Sequence, residues 1–289
     1  MTSDKPGTAP PDSDATTAAA REGEPDRYLA ALLAPPPRRE ALLALAAFAA
    51  ELARIPRLAA REPLMGEIRL QWWRDALALP DGQRTGHGVA DAVRQAARAF
   101  DLPAPLLDGL IEARGLGLGG GPFADDRALQ DYLWSTEGAL FALAARALDQ
   151  PLNARVEAAC SVAGQAYGMA RLLFTLPHSL AHGRIPLPQT AIANAGVTME
   201  ELLAGTAGTK VGALLGGYRA QIDQDLGSAR RLAAQLPRET RIAFLPLALV
   251  QPYVRAQERA GRATLREAAR IAPLTRVCRI AAAHLLGRL

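Results

Sequence analysis

The 289-residue sequence predicts an all-α protein. Apolar residues recur every three to four positions over long stretches, and no run alternates apolar and polar residues over six or more positions. Segments rich in proline and glycine separate the periodic stretches. Apolar residues make up 49% of the chain, enough for one large core, so we expect a single large domain.

The amino terminus predicts a disordered tail followed by helices. Residues 1–25 are rich in Pro, Asp, Ser, Thr, Gly and Ala and show no apolar period, so they cannot offset their own ordering entropy. The helical domain is expected to cover residues 26–289. Its first two helices are predicted around Tyr28–Leu33 and Leu42–Ile55, with a proline run between them and Pro56 ending the second.

The remaining chain continues the helical period to its end. The connections carry Pro-Asp-Gly, Gly-rich or Pro-Leu-Asn segments that interrupt the pattern. The predicted helices cover Ile68–Leu79, Val89–Phe100, Ala104–Gly115, Leu129–Leu148, Val156–Leu176, Glu200–Leu203, Thr209–Leu236, Arg241–Arg259 and Leu265–Leu286.

Charge is distributed unevenly along the chain. Residues 1–229 carry 21 basic and 26 acidic side chains, whereas residues 230–289 carry 12 arginines and 3 glutamates. The last fifth of the chain therefore has a charge of +9 and is suited to an anionic membrane surface or an acidic protein, although plain solvation of arginine-rich helices explains it as well. Nucleic acid is not expected as a partner, because the arginines are not interleaved with aromatics.

Cysteine usage and hydropathy indicate the compartment. Cys160 and Cys278 lie far apart in apolar stretches, which predicts two reduced, buried thiols. No apolar run reaches the roughly 18 residues that span a bilayer, and no signal-peptide pattern opens the chain. We expect a cytoplasmic protein, with peripheral contact to the inner face of a membrane left open.

A set of short motifs, in one order and spacing, resembles the squalene/phytoene synthase family. This resemblance covers the chain from about residue 26 to its end and implies the isoprenoid synthase fold, a helical domain around a central cavity. The matching motifs are Arg27-Tyr28, Ala47-Phe48, Arg69-x-x-Trp72-Trp73-Arg74, Tyr132 before Gly138, Gly164-x-Ala166 and Gly183-Arg184-x-x-Leu187-Pro188.

The resemblance also implies a magnesium-dependent reaction on prenyl diphosphates, whose metal ions are held by two Asp-x-x-x-Asp motifs. Anchored on Ala47-Phe48, the first motif falls on Ala53 and Arg57, and neither residue carries a carboxylate. Glu51 is the one acid nearby, and the surrounding arginines would repel a divalent cation.

The second metal motif is lost as well. Anchored on Gly164-x-Ala166, it falls on Thr175 and Ser179, and Pro177 between them is expected to end or bend the helix. We therefore expect no catalytic residue, no resident metal and no cofactor, with Mg²⁺ required only if the chain is an enzyme after all.

Three functions follow from this pattern. The motifs at residues 48–54 and 66–74 and the triplet Leu176-Pro177-His178 resemble a subgroup of the family similar to the mitochondrial assembly factor of complex I. This resemblance implies the first function, a non-catalytic protein that assembles a membrane respiratory complex, whose partner would be a complex subunit or another assembly factor. The alternative is a prenyltransferase that condenses prenyl diphosphates with atypical metal ligands such as Glu51. A second alternative is a protein that binds a prenyl or lipid diphosphate without turnover.

Five arginines are candidates for holding such a diphosphate or a lipid head group, because guanidinium groups bind phosphate bidentately without a metal. The competing interpretation pairs some of them with nearby acids as structural ion pairs. Two further features are ambiguous: His178 and His182 have metal-ligand spacing without a third ligand, and Trp72 and Trp73 are expected in the core. The candidate arginines are Arg54, Arg69, Arg74, Arg171 and Arg184.

Overall fold

The computed structural model describes residues 12–58, 62–206 and 208–289, and within these ranges it is built from α-helices. Several 3₁₀ helices, one of them the ten-residue segment Thr240–Leu249, and one π-helical turn link some of them. The one β-type contact in the described ranges is an isolated bridge between Phe123 and Pro188. The all-α prediction is confirmed. The helices are α1 Asp12–Gly23, α2 Pro25–Ala31, α3 Arg38–Leu58, α4 Pro63–Ala78, α5 Gly88–Phe100, α6 Ala104–Leu116, α7 Asp126–Leu133, α8 Ala139–Ala147, α9 Ala154–Ala181, α10 Gln189–Asn194, α11 Met199–Leu203, α12 Thr209–Ala233, α13 Val250–Arg259 and α14 Pro273–Leu286.

The two longest helices, α9 and α12, pack along each other in the middle of the fold. Asn153 caps α9, accepting hydrogen bonds at 3.1 Å from the backbone N–H groups of Arg155 and Val156. The core around α9 contains the stacked rings of Phe141 and Phe244, whose centroids are 5.5 Å apart. Burial of this apolar surface holds the helices together.

The predicted disordered tail is wrong from Asp12 onward, whereas residues 1–11 lie outside the described ranges. Helix α1 lies along α3, and Ala20 is fully buried between them. A Cβ atom at Gly23 would lie 2.3 Å from the Cβ of Ala50, so the two helices approach closely through small residues. Such a contact needs no row of large apolar side chains, which is why the apolar period did not predict it.

Pro56 was expected to end a helix and Pro177 to end or bend one, and both prolines lie inside helices. Helix α3 continues past Pro56 to Leu58, and α9 continues past Pro177 to Ala181. Proline removes one backbone hydrogen bond, but Leu176 and Leu180 on either side of Pro177 are buried, and this packing offsets the loss. Positions 175 and 179 therefore share one helix.

A π-helical turn over residues 134–138 lies directly against α9. A Cβ at Gly164 would lie 2.5 Å from the backbone nitrogen of Gly138, and one at Gly168 would lie 2.9 Å from Cγ of Glu137. Only glycine permits this contact, which brings the side chain of Glu137 against the face of α9.

Both tryptophans of the Trp72-Trp73 pair and both cysteines were expected in the core, and in each pair one residue is buried. Trp73 and Cys160 are buried, whereas Trp72 is 39% exposed and Cys278 lies on the surface of α14. Trp72 makes edge contacts with the rings of Trp73 and His87 instead of entering the core. In the described part of the chain, no helix combines the length and hydropathy needed to cross a membrane.

Candidate functional site: a cavity beside a buried ion-pair ring

A cavity of about 750 Å³ lies between helices α3, α6, α7 and α9. Ala53 of α3 lines it, as do Thr175 and Ser179 of α9, so the positions expected for two metal motifs do line one space. Arg57 belongs to the last turn of α3, and its side chain lies outside the described part of the structure. None of the three described positions supplies a carboxylate.

Four charged side chains at one wall of the cavity form a closed ring, here called the ion-pair ring: Glu24, Arg27, Glu137 and Arg171. Arg27 donates to Glu24 at 2.8 Å and to Glu137 at 2.7 Å. Arg171 donates to both carboxylate oxygens of Glu24 at 2.9 Å and lies 3.6 Å from Glu137. Each carboxylate thus contacts both guanidinium groups, and the ring has no net charge.

The two carboxylates of the ion-pair ring are buried and the Arg171 side chain is 26% exposed, so the charges depend on one another. Burial alone would raise the pKa of Glu137, but Arg27, Arg171 and Arg114 outweigh burial and lower the pKa to about 2. Burial alone would lower the pKa of Arg27, but Glu137 and Glu24 outweigh it and raise the pKa. The shifted pKa values of Glu137, Arg27 and Arg171 all favour their charged forms, and removing one charge of the ring leaves another uncompensated.

Aromatic rings extend the ion-pair ring into the core. The guanidinium carbon of Arg27 lies 5.0 Å from the centroid of the Tyr167 ring, and that of Arg171 lies 5.4 Å from it. These are cation–π distances and add to the electrostatic stabilisation of the two guanidinium groups.

A third buried acid, Asp26 of α2, contacts three other helices. It accepts hydrogen bonds from the hydroxyl of Tyr167, at 2.8 Å, and from the hydroxyl of Tyr253, and it pairs with the guanidinium group of Arg276. Tyr167 belongs to α9, Tyr253 to α13 and Arg276 to α14. Asp26 therefore connects the carboxyl-terminal helices to the same interior that holds the ion-pair ring.

The structure separates the five candidate arginines into two groups. Arg171 and Arg184 line the cavity, whereas Arg54, Arg69 and Arg74 are not among the lining residues. Arg69 and Arg74 are exposed on α4, and Arg74 donates to Gln71 at 3.2 Å. The five do not form one phosphate pocket.

Glu51 does not reach the cavity lining either. Its carboxylate accepts a hydrogen bond from Arg54 at 2.8 Å, which is the structural ion pair that the sequence left open. His178 and His182 both line the cavity with their ring centroids 4.4 Å apart, and Nδ1 of His182 lies 2.8 Å from the carbonyl oxygen of His178.

The donor set of the cavity does not fit the magnesium cluster that the family implies. Four carboxylates line it: Glu24 and Glu137 are held by arginines of the ion-pair ring, and Glu112 and Asp131 are exposed. Among the described residues there is no group of three His, Cys, Asp or Glu side chains placed to hold a metal ion. Mg²⁺ requires several free carboxylate oxygens in one place, and the described lining does not offer them.

Sequence reasoning did not identify the acids that dominate the site. Glu24 lay in the segment expected to be disordered, and no role was assigned to Asp26 or Glu137. The position of Glu137 could have indicated its role, because it lies two residues before the apolar segment Ala139–Ala147, and a charge buried there must be paired.

Comparisons with known proteins agree with this architecture. A protein from Rattus norvegicus described as NADH dehydrogenase (ubiquinone) complex I, assembly factor 6, is 25% identical over 240 residues, covering 83% of this chain and 72% of the relative. The human protein of the same description is 24% identical over 241 residues, covering 83% and 72%. A homologue from Drosophila melanogaster is 27% identical over 244 residues, covering 82% and 72%.

Solved structures share the fold. Squalene synthase HpnC from Alicyclobacillus acidocaldarius superposes with a TM-score of 0.70 at 19% identity, covering 86% of this chain and 94% of that one. A dehydrosqualene synthase in complex with a ligand gives a TM-score of 0.76 at 16% identity, covering 95% and 96%. These superpositions establish the isoprenoid synthase fold, and at such low sequence identities they indicate nothing about activity. The family model described as squalene/phytoene synthase matches residues 20–277, and the chain therefore belongs to the squalene/phytoene synthase family.

Proposed function

We propose that this chain is a non-catalytic member of the family that assists the assembly of respiratory complex I. One observation carries the proposal: the cavity in which the two metal motifs should face each other is lined at those positions by Ala53, Thr175 and Ser179. Ionising a prenyl diphosphate needs divalent metal to neutralise the leaving group, and the described lining of the cavity does not supply the ligands for that metal. The relatives described as complex I assembly factor 6 supply the direction of the proposal.

The ion-pair ring supports a structural role for the interior. Buried charges that are fully paired hold helices in one arrangement, and here they join the segment before α2 to the π-helical turn and α9. An assembly factor needs a defined outer surface rather than a reactive interior. We place the protein in the cytoplasm, peripheral to the inner face of the membrane, with a complex I subunit or another assembly factor as its partner.

Deleting the gene in its own organism tests the assembly role. Blue native electrophoresis and NADH:ubiquinone oxidoreductase activity should show less complete complex I, and the wild-type gene should restore both. The double variant Thr175→Ala, Ser179→Ala should restore both equally well, because no chemistry is proposed at those positions. Fully assembled and active complex I in the deletion strain would overturn the proposal.

Turnover by the purified protein tests the enzymatic alternative. With farnesyl or geranylgeranyl diphosphate and Mg²⁺, we expect neither diphosphate release nor a hydrocarbon product. Release that Glu51→Ala abolishes would instead identify a prenyltransferase with atypical metal ligands and would sink the proposal of a non-catalytic protein.

A further inference from the structure

Helix α14 is apolar on both of its faces. Ile280 and Ala283 are buried against the core, and Arg276 on the same side pairs with Asp26, so the rotation of the helix is fixed. On the opposite side Leu274 is 71% exposed and Leu285 is 74% exposed. A packed helix of a soluble domain ordinarily presents polar residues to water on that side.

Most of the exposed apolar residues of α14 form a continuous stripe. Val277, which is 46% exposed, and Cys278, which is also at the surface, lie between the two leucines, whereas Leu286, 72% exposed, lies beside the stripe. Positions 274, 277, 278, 281 and 285 follow the spacing of a single helix face. The stripe therefore runs along most of a 14-residue helix, which is about 21 Å long.

The surroundings of this stripe are basic. A cleft of about 570 Å³ beside α14 is lined by Arg255, Arg259 and Arg279 against a single acid, Glu258. Helix α14 itself contains two arginines and no acidic residue.

Arg230 of α12 places a further positive charge close enough to Arg279 for the two to repel each other. Its buried Nε atom has no hydrogen-bond partner among the described residues. Burial and then repulsion by Arg279 lower the pKa of Arg230. With three arginines and one glutamate, the lining of the cleft is positively charged and favours an anionic occupant.

We propose that α14 and the adjacent arginines form a docking surface for an anionic phospholipid bilayer. Leu274, Val277 and Leu285 enter the boundary between head groups and acyl chains, and Arg255 and Arg279 contact lipid phosphates. An apolar helix face flanked by basic residues is the arrangement that lies in a membrane interface, and anionic lipids strengthen it. Only the biological purpose of this docking surface rests on the proposed function. Vesicle binding and complex I assembly are measured separately, so the failure of one can be distinguished from the failure of the other.

Vesicle flotation tests the docking surface. The full chain should float with vesicles of phosphatidylcholine mixed with phosphatidylglycerol far more than with phosphatidylcholine alone, and added salt should weaken binding. The double variant Leu274→Ser, Leu285→Ser should weaken binding by at least about tenfold, because two leucine side chains can no longer be buried among the acyl chains. Arg255→Gln and Arg279→Gln should each weaken it by about fivefold.

A matched control comes from α4. Leu64 and Ile68 are 66% and 51% exposed, so Leu64→Ser with Ile68→Ser removes similar apolar surface elsewhere and should leave flotation unchanged. All substituted residues are exposed, and thermal melting by circular dichroism checks that each variant is folded. The proposal is overturned if the α4 variant loses as much flotation as the α14 variant, if the wild type binds neutral and anionic vesicles equally, or if it does not float with either. If the α14 variants lower complex I assembly while the wild type ignores vesicles, the occupant is an acidic protein and the lipid proposal fails.

The native cysteines provide a second readout. Cys278 lies on the exposed face of α14, whereas Cys160 is fully buried and its burial raises the pKa of that thiol to about 12. An environment-sensitive maleimide dye will therefore label Cys278 selectively. Its emission should shift to shorter wavelength on adding the anionic vesicles, and an unchanged spectrum with vesicle-bound protein would overturn the assignment of this face.

Discussion

Arg171 holds Glu24 through two parallel hydrogen bonds, both 2.9 Å long, between its Nη atoms and the two carboxylate oxygens. Arg171 lies one helical turn before Thr175, a position where this fold was expected to carry a metal ligand. Glu24 is only 2% exposed. The carboxylate nearest to this part of the cavity is therefore bound to an arginine and has little capacity to bind a metal ion.

Glu24→Gln should destabilise the protein strongly. The substitution leaves Arg27 and Arg171 with one carboxylate between them, and the new amide group presents N–H donors to guanidinium donors. We expect the free energy of unfolding to fall by about 3–5 kcal/mol, the usual cost of breaking a buried ion pair. Urea denaturation followed by circular dichroism measures the change.

Glu22→Gln is the control for that measurement. Glu22 lies on α1 with its side chain 65% exposed, 3.5 Å from Arg54. An exposed pair of this kind contributes less than about 1 kcal/mol, so unfolding should barely change. Similar losses in both variants would contradict a special role for the ion-pair ring.

Acid should remove the contribution of Glu137. Its pKa is about 2 in the folded protein against 4.5 for an unperturbed glutamate, so the folded state favours the ionised form. The stabilisation is complete above pH 4.5 and disappears as the pH falls towards 2. The difference of about 2.5 pKa units corresponds to about 3 kcal/mol.

Comparing wild type with Glu137→Gln isolates this effect from other carboxylates. The stability difference between the two proteins should be near its full value at pH 6 and should shrink steadily between pH 4.5 and pH 2. A difference that stays constant over this range would mean that Glu137 does not titrate with the shifted pKa.

The sequence predicted the helices and two sides of the cavity, because apolar periodicity and short motifs are local signals. The aligned motif positions Ala53, Thr175 and Ser179 do line one cavity, and two candidate arginines, Arg171 and Arg184, lie there as well. The Thr198-x-x-Glu201 pattern predicts a capping box at the start of α11, and this capping box is present. Each of these features depends on residues close together in sequence or on a motif shared with a family.

The ion-pair ring was not predicted, because its members are brought together only by folding. Glu24 and Glu137 are separated by more than a hundred residues, and neither lies in a recognisable motif. Helix α1 escaped prediction for a related reason: its contact with α3 is made by small residues such as Ala20 and Gly23. Close packing of small side chains leaves little hydropathy signal to detect.

Gly164→Ala should be costly although alanine favours helices. The added Cβ would lie 2.5 Å from the backbone nitrogen of Gly138 and 2.7 Å from its Cα, and backbone atoms cannot move aside as a side chain can. We expect a loss of at least about 2 kcal/mol, as in other overpacked cores. Thermal unfolding will show it as a lower melting temperature.

Gly216→Ala is the matched substitution on α12. A Cβ there meets nothing within 4 Å, so only the helix propensity changes. The variant should be as stable as wild type or gain up to about 1 kcal/mol. If both alanine variants behaved alike, the close contact between α9 and the π-helical turn would not be the cause.

Arg276→Gln should loosen α14 without unfolding the rest of the protein. Arg276 is 17% exposed and pairs with Asp26, which retains the hydroxyl groups of Tyr167 and Tyr253 when the guanidinium group is removed. Besides this pair, Ile280 and Ala283 are the buried residues that fix the helix. Amide hydrogen exchange over residues 273–286 should therefore accelerate, while exchange in α9 stays slow.

Arg279→Gln is the control for this prediction. It removes a positive charge from α14 but leaves the ion pair between Arg276 and Asp26 intact. Arg279 is exposed on the same helix, so its removal should leave amide exchange unchanged while weakening vesicle binding. Arg276→Gln, in contrast, should disturb the outer apolar stripe because the helix that carries the stripe is no longer held in one rotation. Equal exchange rates in the two variants would show that Asp26 does not anchor α14, and the orientation of its exposed face would then depend on Ile280 and Ala283 alone.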